Sequence, residues 1–110
     1  MKYLIIALSF LYFTSCSTED PLTITQCIDD EISVFFPQAC EGSGDLTKWI
    51  FNGQDVFCFN QGTCIADGIA LIYDGECNLI CTLGGVDGNE ICDGLNWSDN
   101  AEFVGVVFRY

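Results

Sequence analysis

Leu46-Thr47-Lys48-Trp49-Ile50-Phe51-Asn52-Gly53-Gln54-Asp55-Val56-Phe57-Cys58-Phe59-Asn60 decides the fold. Two runs rich in aromatic and β-branched residues flank Asn-Gly, whose residues readily take the positive φ angles that a two-residue hairpin turn demands. The turn sets the register: Phe51 opposite Gln54, Trp49 opposite Val56 and Thr47 opposite Cys58. Side chains alternate across a strand, so Trp49, Val56 and Cys58 share one face. Lys48, Ile50, Phe57 and Phe59 share the other. One face is expected to be core, the second to be partly covered by a helix or open for binding.

Upstream, Thr25-Gln26-Cys27-Ile28-Asp29-Asp30-Glu31-Ile32-Ser33-Val34-Phe35-Phe36-Pro37 carries Ile28, Ile32 and Phe35 at helical spacing. Thr25 is a plausible N-cap, the acidic cluster Asp29-Asp30-Glu31 favours the positive end of the helix dipole, and Pro37 stops the pattern. These signals predict one helix over about residues 26–36. Downstream, 68–74 and 78–82 read as two more strands, joined by the turn Asp74-Gly75-Glu76-Cys77. A glycine-rich segment over 84–94 calls for irregular backbone, and 102–110 reads as a last strand through the core. The fold class is α+β: a small disulfide-rich domain, one N-terminal helix on an antiparallel sheet of about five strands.

The opening, Met1-Lys2 followed by an apolar run from Tyr3 to Phe13, has the plan of a secretory signal and is too short to span a bilayer, which takes ~20 residues. Phe13-Thr14-Ser15-Cys16 resembles the lipobox of bacterial lipoproteins. The resemblance implies a signal peptide over 1–15 and lipid on Cys16; the polar stretch after it reads as a lipidated tether over 16–24, and the rest has the length of a single disulfide-stabilised domain over 25–110. Two or more acyl chains give stable anchoring. The acidic pair Glu19-Asp20 resembles a surface-export signal of Bacteroidota lipoproteins. The expected place is therefore the cell envelope, at the outer membrane, with surface display.

All sixteen carboxylates lie after Cys16, against only Lys48 and Arg109. Nucleic acid needs cationic side chains to displace its counterions, so it is excluded as a partner. Attraction to anionic headgroups by charge is excluded on the same ground. With Cys16 lipidated, Cys27, Cys40, Cys58, Cys64, Cys77, Cys81 and Cys92 remain, and in an exported chain they read as disulfides. Seven is odd, so at most three bridges form and one thiol is left over. Cys81 and Cys92 bracket the glycine segment and are candidates to close it. Cys58 and Cys77 are candidates to bridge neighbouring hairpins.

The chain has no His. Ser-His-Asp and Cys-His nucleophile systems are therefore out, as are most catalytic zinc sites. Gly84-Gly85-Val86-Asp87-Gly88 lacks the Lys and Ser/Thr of a phosphate-binding loop. A pair of carboxylates could serve a glycosidase, but so short a domain offers little room for a long cleft. No enzyme and no cofactor is expected. Asp87, Asn89, Glu90 and Asp93 supply hard oxygens in a glycine-rich turn, which makes calcium the sharpest metal hypothesis; turn formation explains the same residues. Asn96-Trp97-Ser98 matches a glycosylation pattern that carries no weight in a bacterial lipoprotein, and Trp97 is expected in the core.

Val56-Phe57-Cys58-Phe59, Cys64, Leu71-Ile72-Tyr73-Asp74, Ile80-Cys81, Gly84-Gly85-Val86-Asp87-Gly88, Cys92-Asp93 and Val106-Val107-Phe108-Arg109 together resemble a small family of Bacteroidota lipoproteins and secreted domains of unknown function. The likeness covers about residues 46–110. Cys58 and Cys77 stand where that pattern has an aromatic residue and a glycine, and as additions they could pair with each other. The resemblance implies a fold and a compartment, and no activity. The expected function is a module binding a protein or a glycan. Alternatives are an inhibitor of a cationic hydrolase such as lysozyme or a protease, with residues 82–94 as its wedge, and a structural envelope component.

Overall fold

The computed structural model describes residues 20–110. Helix α1 runs Gln26–Phe35 and tightens into a single 3-10 turn over Phe36–Gln38. Thr25 caps it as expected: its Oγ1 accepts from the Ile28 N–H at 3.3 Å and also donates to the Gly75 carbonyl at 2.7 Å. One hydroxyl thus starts the helix and pins it to a distant turn.

The sheet contains β1 (Asp45–Phe51), β2 (Gln54–Asn60), β3 (Ile69–Asp74), β4 (Leu79–Gly84) and β7 (Ala101–Arg109). Its order is β4-β3-β2-β1-β7, antiparallel throughout. The β1–β2 register is the one the Asn52-Gly53 turn predicts, and both turn residues have positive φ, 52° and 79°. A second, two-stranded sheet pairs β5 (Ile91–Cys92) with β6 (Leu95–Asn96), and a four-residue helix α2 (Trp97–Asn100) leads into β7.

Both faces of the main sheet are covered. On the first, Ile28, Phe35 and Phe36 pack on Leu46, Phe57 and Phe59. Phe36 alone touches the rings of Phe59, Phe108 and Tyr110. On the second, Phe51, Val56, Cys58 and Ile72 pack with Cys92, and Trp97 and Leu95 close over them. The glycine segment, β5, β6 and α2 therefore do for the second face what α1 does for the first.

The last strand departs from expectation. β7 pairs only with β1 and forms an edge rather than running through the core. It carries two register shifts against β1, and at the open edge Phe103 packs only its one side on Trp49 and stays 53% exposed. Such irregularities also blunt an open edge against pairing with other chains.

The end of the segment read as a tether lies against the domain. Leu22 packs so closely on Gly105 that a Cβ there would come within 2.7 Å of it. Ile24 joins the first core cluster.

Candidate binding surface

Among the described residues three disulfides close, Cys27–Cys77, Cys40–Cys64 and Cys81–Cys92, and Cys58 is left as a buried thiol. Cys81–Cys92 closes the glycine segment as its flanking positions suggest. The Cys58–Cys77 pairing is wrong. Cys58 faces the second core from mid-β2, while Cys77 sits in the β3–β4 turn beside the first turn of α1, where Cys27 meets it with Cα atoms 6.0 Å apart. Cys16 lies outside the described residues.

Burial pushes the Cys58 thiol up to about 11 from its ordinary 9.0; a hydrogen bond with Thr47 opposes this and the Asp45 carboxylate adds to it. Between these values the unfolded chain holds fewer protons than the folded one, so stability falls as pH rises, by at most about 1 kcal/mol per unit. Below pH 9 the thiol stays neutral and adds no pH dependence. Iodoacetamide at pH 8 is expected to leave the native protein unmodified and to alkylate Cys58 once denaturant is added. Fast alkylation of the native protein would place Cys58 at the surface.

The calcium quartet is not gathered. Asn89 spends its amide within the loop, donating to the carbonyls of Thr82 and Ile91 at 2.8 and 2.9 Å and accepting from the Ile91 N–H. Asp87, Glu90 and Asp93 are exposed. Among the described residues, no group of three or more Cys, Asp or Glu side chains converges as a metal site would require. Asp93 instead takes a φ of 51° and, with Gly94 at 80°, makes the tight turn between β5 and β6. The carboxylate of Asp74 is likewise spent locally: bonds from Asn78 and the Glu76 N–H hold it below the usual carboxylate range.

That same organisation produces a rigid projection. Gly84 and Asn89 exchange both backbone hydrogen bonds, at 2.9 and 3.1 Å, and Gly88 donates to Gly85. Gly84, Gly85 and Gly88 all have positive φ, which side chains would resist. The resulting tip lifts Val86 to 84% exposure, with Asp87 next to it.

Behind the tip lies a depression of about 290 Å³ lined by Leu83, Glu90, Trp97 and Ser98 among others. Trp97 is a half-buried lid rather than full core: its ring stacks on Phe51 at 5.1 Å and meets Trp49 at 5.2 Å. Trp49 in turn touches Phe103, also at 5.2 Å. Asn96 caps α2 by accepting from the Asp99 N–H, which is its structural role in the Asn-Trp-Ser triplet. The depression joins the glycine loop to this aromatic row through Trp97, and its lining holds no Lys or Arg.

A second groove, about 470 Å³, lies on the opposite face between residues 20–25 and the sheet. Its floor is Lys48, 8% exposed. The Lys48 ammonium donates to the Thr23 carbonyl at 3.1 Å and sits 3.7 Å from the Asp55 carboxylate. Asp55 is 62% exposed, so the hydrogen bond outweighs the ion pair. Lys48 thus fastens the N-terminal strap to the sheet.

Comparison with known families adds one match. A family model described as Domain of unknown function (DUF6970) matches residues 36–110. The chain belongs to this family. The DUF6970 span holds the whole sheet, the glycine loop and the aromatic row. Helix α1, the strap and Cys27 lie upstream of it. No curated protein and no solved structure matches the chain significantly.

Proposed function

We propose that this DUF6970 member is a non-catalytic binding module of the bacterial envelope, lipid-anchored through Cys16 and presenting its loop-side surface to a protein partner. The reading of the anchor rests on Lys2, the apolar run and Phe13-Thr14-Ser15-Cys16. By resemblance, Glu19-Asp20 favours the outer membrane and surface display in a Bacteroidota cell. Cys16→Ser is expected to release the protein or leave it unprocessed on fractionation. Membrane retention at the mature mass would sink the anchor.

One observation carries the binding reading: an apolar side chain, Val86, held at 84% exposure on a disulfide-closed tip. Ordering a loop normally costs binding energy, and a preformed tip avoids that cost. A sugar ring has no use for a projecting valine, so the geometry favours a protein over a glycan. The acidic surface selects a basic partner. Inhibition of a cationic hydrolase is the case in which the tip enters an active-site cleft.

The test is capture by the detergent-solubilised full chain. A stoichiometric cationic protein is expected to be retained by the wild type and lost, at least tenfold, with Val86→Asp. If that protein is a hydrolase, its inhibition separates the two versions. Retention unaffected by Val86→Asp, or a polysaccharide as the captured species, would refute the reading. An envelope defect on deletion with no partner at all would favour a structural role.

A further inference from the structure

The depression beside the tip has a composition the tip alone does not explain. At about 290 Å³ it falls below the usual small-molecule pocket, about 300–1,000 Å³, and it suits one long side chain. Trp97 supplies an aromatic wall and Leu83 an apolar one. Glu90 supplies the charge. Its backbone carbonyl accepts from the Trp97 backbone N–H at 2.9 Å, which holds the two residues side by side in the lining.

Polar groups around it are accounted for unevenly. The Asn89 amide donors go to Thr82 and Ile91. The Gly84, Gly88 and Trp97 N–H groups all bond within the loop. Ser98 donates its proton to Asn96, leaving its oxygen free to accept. The Trp97 indole N–H is a donor beside them, but Glu90 is the one charged residue of the lining, so what the depression offers in charge is negative, with a hydroxyl oxygen and an aromatic ring next to it. Arg and Lys are donors with no acceptor, and a cation over an aromatic ring is attracted by its quadrupole. An anion would meet Glu90 with nothing to balance it, in a chain of net charge −13.

We infer that the Trp97–Glu90–Ser98 depression is a receptor for a basic side chain, Arg or Lys, of the partner protein, seated next to the Val86 tip. This rests on the binding-module reading and names the partner's anchor. Trp97 gives the cation–π contact and Glu90 the charge-assisted hydrogen bond. Leu83 covers the aliphatic stem, which long basic side chains bury readily.

The test uses the two indole N–H signals of the full, lipidated chain in detergent micelles, one each from Trp49 and Trp97. The probes are N-acetyl-arginine amide, its neutral isostere N-acetyl-citrulline amide, and maltotriose. The arginine derivative is expected to move the Trp97 signal saturably in the millimolar range, and citrulline to move it little. Glu90→Gln, an exposed change that spares the fold, is expected to weaken the arginine response about threefold to fivefold. No saturable shift, or an equal response to citrulline or maltotriose, overturns the assignment. If partner capture still depends on Val86 in that event, the binding-module reading stands and only the basic-side-chain receptor falls.

Discussion

Replacing Cys27 and Cys77 together with alanine is expected to cost about 4 kcal/mol, the largest loss of any bridge. A disulfide acts chiefly by restricting the unfolded chain, and the effect grows with the loop it closes. Cys27–Cys77 spans 50 residues, Cys40–Cys64 spans 24 and Cys81–Cys92 spans 11. The same relation gives about 3.5 and about 3 kcal/mol for the shorter two. For a domain of this size a loss of 4 kcal/mol lowers Tm by about 15–30 °C, measurable by thermal unfolding. The double substitution is the clean variant, because a single one leaves a thiol free to exchange with other bridges. The native pairing joins α1 to the β3–β4 turn, so its loss also loosens the layer that covers the first core. A smaller loss than for Cys81–Cys92 would mean that α1 is held by packing alone.

Phe59→Ala is expected to cost about 3–5 kcal/mol. Phe59 is fully buried at the centre of the first core, with ring centroids 5.4 Å from Phe35, 6.0 Å from Phe36 and 5.4 Å from Tyr73. Its neighbours are themselves large rings from α1, the 3-10 turn and β3, which cannot all move in to fill the space. Phe103→Ala removes the same side chain from a 53% exposed position and is expected to cost less than about 1 kcal/mol. Denaturant midpoints for the two variants compare burial at constant chemistry. Similar losses would contradict the placing of β7 at the sheet edge.

Much of the fold could be read from local signals. Asn52-Gly53 fixed a hairpin because only one register fits a two-residue turn, and Thr25 with Ile28, Ile32 and Phe35 located α1. What stayed hidden was long-range. Nothing local tells that the start of α1 meets the β3–β4 turn, so the sequence offers Cys58, the other departure from the family pattern, as the partner of Cys77 in place of Cys27. Asp93-Gly94 is as good a turn signal as Asn52-Gly53, yet its strands are two residues each and too short to show alternation. The apolar run of β7 conceals two bulges, which only pairing with β1 reveals. The oxygen-rich quartet of the glycine loop resembled a metal site because turn formers and hard ligands are the same residue types. The loop's real product, an exposed valine on a braced tip, depends on backbone angles and could be suspected only from the cysteines that flank it.

The most direct measurement places a photo-activatable cross-linker at position 86 of the lipidated chain in intact cells, with position 65 as a second exposed apolar control. A discrete protein adduct from position 86, absent from position 65, is the predicted result. No adduct at 86, or the same adducts from both positions, would contradict the claim that the glycine-loop tip is the contact surface.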